Sequence, residues 1–248
     1  MVAMFAGFVS VLLAIELPSN EPSDAKAKEI IRKAIDAYGG PEKVKKMSCF
    51  TIKAKGAFVR NGQKFPYMLE AWFSFPSRRK AIYRFDDKQT EPLTQILNPE
   101  GAWEKRGEAT RRLNEEELAG FKEAMYRFQV DTLLAIVSDK ALQISCAGEK
   151  EIDQRRAVGV KVHSNNHLDM LLYFDEKTGL QVKVEIKATD GAGQEAVLEY
   201  FLRDHKEFNS VKRPSKFVVL INGDKVEEFE ITEMEFPVKI EEKVFGKP

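Results

Sequence analysis

The sequence predicts an α+β protein built on one large antiparallel β-sheet that carries a few helices. Three observations lead there. Apolar and polar residues alternate with period two through many segments, as in half-buried strands. Tight-turn signals such as Asn61-Gly62, Asn222-Gly223 and Asp175 to Gly179 join neighbouring segments, so consecutive strands must run antiparallel. Helical spacing is confined to two blocks and never alternates with strands, which disfavours a parallel, doubly wound sheet.

The first helical block opens at Asp24, a candidate cap, and repeats Ile30, Ile31, Ala34, Ile35 and Tyr38 at helical spacing. Gly39-Gly40 stops it, and Pro41 starts a short second turn carrying Val44 and Met47. Phe50, Ile52, Ala54, Gly56 and Phe58 then share one face of a strand, and Phe65, Tyr67, Leu69, Ala71, Phe73 and Phe75 share one face of its hairpin partner. Pro76 ends that strand. Ala81, Tyr83 and Phe85 mark another, with shorter ones at 94–97 and around Trp103. Residues 114–137 read as one amphipathic helix: Asn114 caps it, Glu115-Glu116-Glu117 suit the positive end of its dipole, and Leu118, Phe121, Met125, Phe128 and Ile136 lie near one face, widened by Leu133. Strands resume at 142–146, 157–163, 170–175, 180–188, 196–208, 216–222 and 225–236. In the fourth of these, Leu180, Val182, Val184 and Ile186 alternate with Gln181, Lys183, Glu185 and Lys187, which predicts burial of a single face.

The chain of 248 residues carries 39 basic and 39 acidic side chains. Its basic residues fall in scattered pairs flanked by acids rather than in a patch, so nucleic acid is not an expected partner. Residues 1–15 are uncharged and apolar, too short a run to cross a bilayer, and a Pro-Ser-Asn-Glu-Pro-Ser stretch follows. Residues 1–24 are therefore expected to be a signal peptide, or an uncleaved N-terminal anchor with a short linker. No linker or repeat divides residues 25–248, which are expected to form one domain and a monomer. Cys49 shares parity with the polar Thr51 and Lys53, and Cys146 with the apolar Leu142 and Ile144, so two separate thiols are expected rather than a disulfide.

Catalytic signatures are missing. The stretch from Gly191 to Ala196 matches a dinucleotide fingerprint in letters only, since that motif needs a parallel βαβ unit. His163 and His167 flank a Ser-Asn-Asn hairpin tip and read as exposed loop residues, with His205 far away in sequence. Carboxylate pairs such as Glu227-Glu228 and Glu241-Glu242 read as solvated faces, and Glu70 as a plain surface acid. No catalytic residue, metal or cofactor is expected.

Aromatic and aliphatic surface is what the chain has in excess. Phe58, Phe65, Tyr67, Leu69, Phe73, Tyr83 and Phe85 from the strands, with Phe121, Met125, Phe128 and Leu133 from the helix, are the candidate lining of an apolar cavity; the same residues equally suit a filled core. A curved sheet closed by a helix can hold such a cavity, and aspartate at Phe73 or Phe128 is then expected to abolish lipid retention in a protein that still folds.

Ala37-Tyr-Gly-Gly-Pro-Glu-Lys43 ahead of the first long strand, and the pairing of Gly159-Val-Lys-Val162 with Tyr173-Phe-Asp-Glu-Lys-Thr-Gly-Leu180, resemble the LolA/LolB-like superfamily of outer-membrane lipoprotein-sorting proteins. The resemblance runs from about Ala25 to Phe236. It implies a half-open antiparallel β-barrel with helices covering its concave face, a cavity for lipid or lipoprotein acyl chains, and a periplasmic location, membrane-anchored if the signal is uncleaved. A regulatory module on the same fold, with another envelope protein as partner, is the alternative it leaves open; a hydrolytic enzyme is a remoter one.

Overall fold

The computed structural model describes residues 25–87, 89–139, 142–189 and 195–248. The segment 1–24, including Asp24, and residues 191–194 of the glycine-rich stretch lie outside these. Helix α1 (Ala25–Ala37) buries Ala27, Ile31 and Ala34, the face its spacing predicts. Gly39 and Gly40 adopt φ of 98° and 94°, a conformation open to glycine, and Pro41 begins α2 (Pro41–Lys45).

Thirteen strands form one antiparallel sheet. The first six, β1 (Cys49–Arg60), β2 (Gln63–Ser74), β3 (Arg78–Phe85), β4 (Leu93–Asn98), β5 (Gly101–Arg106) and β6 (Ala109–Arg112), pair in sequence order. The remaining seven, β7 (Gln143–Ile152), β8 (Arg155–His163), β9 (Met170–Asp175), β10 (Gln181–Thr189), β11 (Glu195–Phe208), β12 (Val211–Ile221) and β13 (Asp224–Glu235), form a second meander. β13 then pairs with β1, so the first and last strands meet mid-sheet and β6 and β7 become the two edges. The chain must therefore travel from one edge to the other between β6 and β7. It does so through α3 (Glu115–Asp131) and α4 (Leu134–Ser138), laid across the same face that α1 covers. We call this the inner face. The edges do not pair with each other, so the sheet is an open half-barrel.

Turn chemistry agrees with the sequence. Asn61-Gly62 and Asn222-Gly223 have φ of 50°/75° and 52°/86°, as the mirror-image hairpin turn requires. Asp175 Oδ1 accepts from the Thr178 and Lys177 amides at 2.7 and 3.1 Å, and Gly179 closes that turn at φ 72°. β10 and β11 pair antiparallel from Lys183↔Phe201 to Thr189↔Glu195, a hairpin and not the βαβ unit a dinucleotide site needs.

Four expectations are corrected. The helix expected over 114–137 is two helices. Asn114 caps α3 in a reciprocal capping box with Glu117, but Leu133 takes φ 63° and breaks the run. Its side chain is 0 % exposed, so packing holds a conformation that local preference opposes. β10 is buried on both faces: a bulge between Gln181 and Lys183 turns Val182 outward onto Tyr173, while Val184 and Ile186 stay inside. Lys183 is consequently buried outside, between Glu199 at 2.5 Å and Glu185 at 3.0 Å and over the Phe201 ring. Cys49 does not lie on a polar surface, because the C-terminal turn Glu242–Phe245 covers it with Ile240 and Phe245; neither Cys49 nor Cys146 is in a disulfide. Lastly, β6 was missed, since Ala109–Arg112 are all exposed and leave no alternation to read.

The inner face divides into two apolar clusters. Under α1 and α4, Val160, Val162, Leu172, Phe174, Val184 and Ile186 pack against Ile31, Ala34 and Leu133. Under α3, Phe50, Ile52, Ala71 and Phe73 pack against Phe121 and Met125. Phe217 touches both.

Candidate functional site

Of the eleven residues expected to line a cavity, nine gather in the cluster beneath α3. Tyr67, Leu69, Phe73, Phe121 and Met125 are buried there, and Phe58, Tyr83, Phe85 and Phe128 pack against it partly buried. Leu133 belongs to the other cluster. Phe65, opposite Phe58 near the hairpin end, is 38 % exposed.

The two ends of this face differ. Where α3 crosses, Phe50 and Phe73 are buried: Phe73 lies 4.6 Å from Phe50 and 5.0 Å from Phe128, centroid to centroid. Toward the opposite ends of β1 and β3 the inner face keeps partly exposed rings at Phe58, Tyr83 and Phe85, joined by Phe229, Phe217 and Tyr200 of β13, β12 and β11. Sequence patterning cannot separate the two ends, because all these residues share one parity. The difference comes from where α3 lands.

That open end has a polar floor. The Tyr67 hydroxyl donates to Glu227, and the side chain of Arg79 runs along β3 to donate to Tyr83 Oη at 3.4 Å and Gln95 Oε1 at 3.3 Å. Gln95 passes the chain to Glu104 at 2.9 Å, and Arg111 joins Glu104 to Glu117 of α3. Burial pushes the Glu227 carboxyl up to about 7, against the Tyr67 hydrogen bond and the Arg79 charge, which both lower it. Burial likewise raises the Tyr67, Tyr83 and Tyr200 hydroxyls. The reading of Glu227-Glu228 as one solvated pair is thus corrected. Glu228 faces outward to Lys64 and Lys225, while its neighbour points inward, as successive residues of a strand must. Alternation at Glu227, Phe229 and Ile231 was the available signal.

Gly56 makes the floor possible. A Cβ there would sit 2.6 Å from Glu228 O and 2.7 Å from Tyr67 Oη. Gly56→Ala is expected to displace Tyr67 from Glu227 and cost about 2 kcal/mol, as overpacking does; urea unfolding measures it, and unchanged stability would show that the contact yields freely.

A second polar group joins the two clusters. Gln181 Nε2 donates to Asp131 at 3.0 Å, Arg213 approaches Asp131 at 3.8 Å and lies 5.0 Å over the Tyr38 ring, and His205 stacks on Tyr38. Burial lowers His205 to about 4, with Arg213 adding to the effect, and raises Tyr38 to about 12. These contacts tie α1 and α3 to β10, β11 and β12.

His163 and His167 are not plain exposed loop residues. His163 Nδ1 meets Asp169 Oδ1 at 2.6 Å; His167 Nδ1 meets Glu123 Oε2 of α3 at 2.7 Å and stacks on Tyr126. The tip folds onto the helix because Glu123, 8 % exposed, needs these partners, including the Leu168 amide. Glu70 is an outer-face acid paired with Arg84 at 2.6 Å. Among the described residues, no group of three or more His, Cys, Asp or Glu is placed to hold a metal.

An open antiparallel half-barrel with helices across its inner face defines a class of protein, and solved structures share it. A domain assigned to outer membrane lipoprotein sorting from Vibrio parahaemolyticus superposes with a TM-score of 0.54 at 12 % identity, over 90 % of this chain and 97 % of that one. A DUF1329 family protein from Desulfovibrio piger gives 0.57 at 10 % identity, over 89 % and 97 %. A LolA superfamily protein from Nitrosomonas europaea gives 0.56 at 11 % identity, also over 89 % and 97 %. No family model and no curated protein matches the sequence. The chain has the LolA-like fold.

Proposed function

We propose that the protein is a non-enzymatic carrier or sensor in the bacterial periplasm that shelters lipid or lipoprotein acyl chains on the open, aromatic end of its inner face. The observation that carries this reading is the contrast along β1 to β3: Phe50 and Phe73 are buried under α3, whereas Phe58, Tyr83 and Phe85 beyond it are partly exposed. The kinship of fold with a lipoprotein-sorting domain supports it. Each methylene sheltered there contributes about 0.8 kcal/mol, so one long chain suffices for tight retention. Phe58, Tyr83, Phe85 and Phe229 would hold the chain, and Glu227 with Tyr67 would set its polar limit.

The test is mass spectrometry of solvent extracts from protein purified without detergent. Near-stoichiometric acyl lipid is expected, lost in Phe85→Glu and Phe229→Glu proteins that keep the parent circular dichroism. Lipid content unchanged in both folded variants would overturn the site. An empty extract from the parent, with a protein partner held in stoichiometric amount, would replace the carrier by an interaction module.

A further inference from the structure

Behind α3, away from the aromatic basin, a cavity of about 540 Å³ lies between the helix, the start of β7 and the tip joining β8 to β9. Its volume falls within the range of small-molecule sites. It shares no residue with the basin, and its lining has a different chemistry. Gln129, Gln143, Ser164, Asn165 and Asn166 contribute amides and a hydroxyl, and Lys122 and Asp139 contribute one charge of each sign.

The lining discriminates among ligand classes. An acyl chain would strip water from these amides without replacing its hydrogen bonds, at a cost of kilocalories for each group. An anion would find Lys122 in the lining and Lys161 behind it, but three carboxylates close by: Asp139 in the wall, and Glu123 and Asp169 directly behind the two imidazoles. A cation would meet Lys122 and find two of those three carboxylates already engaged, Glu123 by His167 and the Leu168 amide, Asp169 by His163 and Lys161. A neutral polyol fits, because each hydroxyl both donates and accepts, as an amide-rich wall demands.

The histidines strengthen the match. Each Nδ1 is committed to a carboxylate, so the second nitrogen of each ring is left to a ligand hydroxyl, which can serve it as donor or as acceptor. The wall is also pre-formed. The His167 ring lies 3.4 Å from Tyr126, and Glu123 clamps both His167 and the Leu168 amide, so little order need be gained on binding.

We infer that this cavity behind α3 is a binding site for a neutral polyhydroxyl group, a mono- or disaccharide, either free or as the head of a glycolipid. The inference does not depend on the carrier reading of the basin.

Isothermal titration calorimetry on the full chain tests it, with methyl β-glucoside, N-acetylglucosamine and maltose as probes and sodium phosphate as the anion control. At least one sugar is expected to saturate while phosphate does not. Asn165→Ala and Gln143→Leu are each expected to weaken that sugar about tenfold, the loss of one hydrogen bond, with unchanged circular dichroism. Octyl β-glucoside below its micelle concentration separates the sources: binding tenfold tighter than the methyl glycoside, and weakened by the same factor in Asn165→Ala, assigns a glycolipid head, whereas equal binding assigns a free sugar. No saturation by any sugar up to about 50 mM, a weak limit for a specific site, would overturn the inference. So would preferential binding of phosphate, or sugar binding that both substitutions leave intact.

Discussion

Phe73→Asp is expected to unfold the protein rather than to empty a cavity. The ring is 5 % exposed and packed between Phe50 and Phe128 at centroid distances of 4.6 and 5.0 Å, with the Arg79 guanidinium 5.9 Å away on its edge of the cluster. Truncating a buried phenylalanine costs about 3–5 kcal/mol, and a carboxyl placed among aromatic rings adds several more through desolvation. Together these approach the whole stability of an ordinary domain, about 5–15 kcal/mol. Phe73→Leu keeps most of the volume and is expected to cost far less. Circular dichroism and urea unfolding of the two variants decide the matter. A Phe73→Asp protein with the parent's unfolding midpoint would mean that the stack opens readily and that a ligand can enter beneath α3. The sequence supports the opposite expectation, a folded and merely empty variant, because it shows that Phe73 faces inward without showing that Phe128 lies on it.

Stability is expected to depend on pH through two groups with opposite slopes. Glu227 keeps its proton in the fold to about 7, against an ordinary 4.5. As pH rises from 4.5 to 7, the unfolded chain releases that proton first, so stability falls, by up to about 3 kcal/mol in all. His205 stays neutral in the fold down to about 4, whereas the unfolded chain takes up its proton near 6.5. Stability therefore falls as pH drops from 6.5 toward 4, by a similar amount. Between 4.5 and 6.5 the two slopes oppose each other and the parent protein should be nearly flat. Glu227→Gln is expected to be more stable than the parent above pH 7 and to uncover the acid-side loss. His205→Gln should uncover the complementary fall from 4.5 to 7. Unfolding free energies at several pH values from 4 to 8.5 would reveal both, and profiles parallel to the parent's would rule out these groups as the cause. Under the carrier reading, ionisation of Glu227 above pH 7 also places a charge beneath the rings that would hold the chain, so retained lipid should decline over the same range.

Much of this protein is legible in its sequence. Alternation located nearly every strand, and two Asn-Gly turns set the β1–β2 and β12–β13 hairpins. The capping residues Asn114 and Glu117 marked where α3 begins. The inward parity of Phe58, Tyr67, Leu69, Phe73, Tyr83 and Phe85 was correct, because side-chain direction in a strand follows from the backbone alone. The same rule, applied to Glu227, would have turned it inward beside Phe229; grouping it with Glu228 as a charged pair concealed that. Local patterning also failed where a bulge shifted parity at Val182, where packing forced Leu133 into a left-handed conformation, and where a distant segment covered Cys49.

The sequence by itself determined most of the elements, the antiparallel pairing of consecutive strands, and the inward face of most strands, since these depend on neighbours a few positions apart. Only the tertiary structure decided that β1 and β13 meet at mid-sheet, that α3 and α4 must then bridge the two edges, and that α3 packs over Phe50 and Phe73 while leaving Phe58, Tyr83 and Phe229 partly exposed. The same holds for the partners of Glu227 and of His167, which lie 160 and 44 residues away along the chain. Such contacts join residues whose separation no local periodicity encodes, so their geometry exists only once the sheet has closed on its helices.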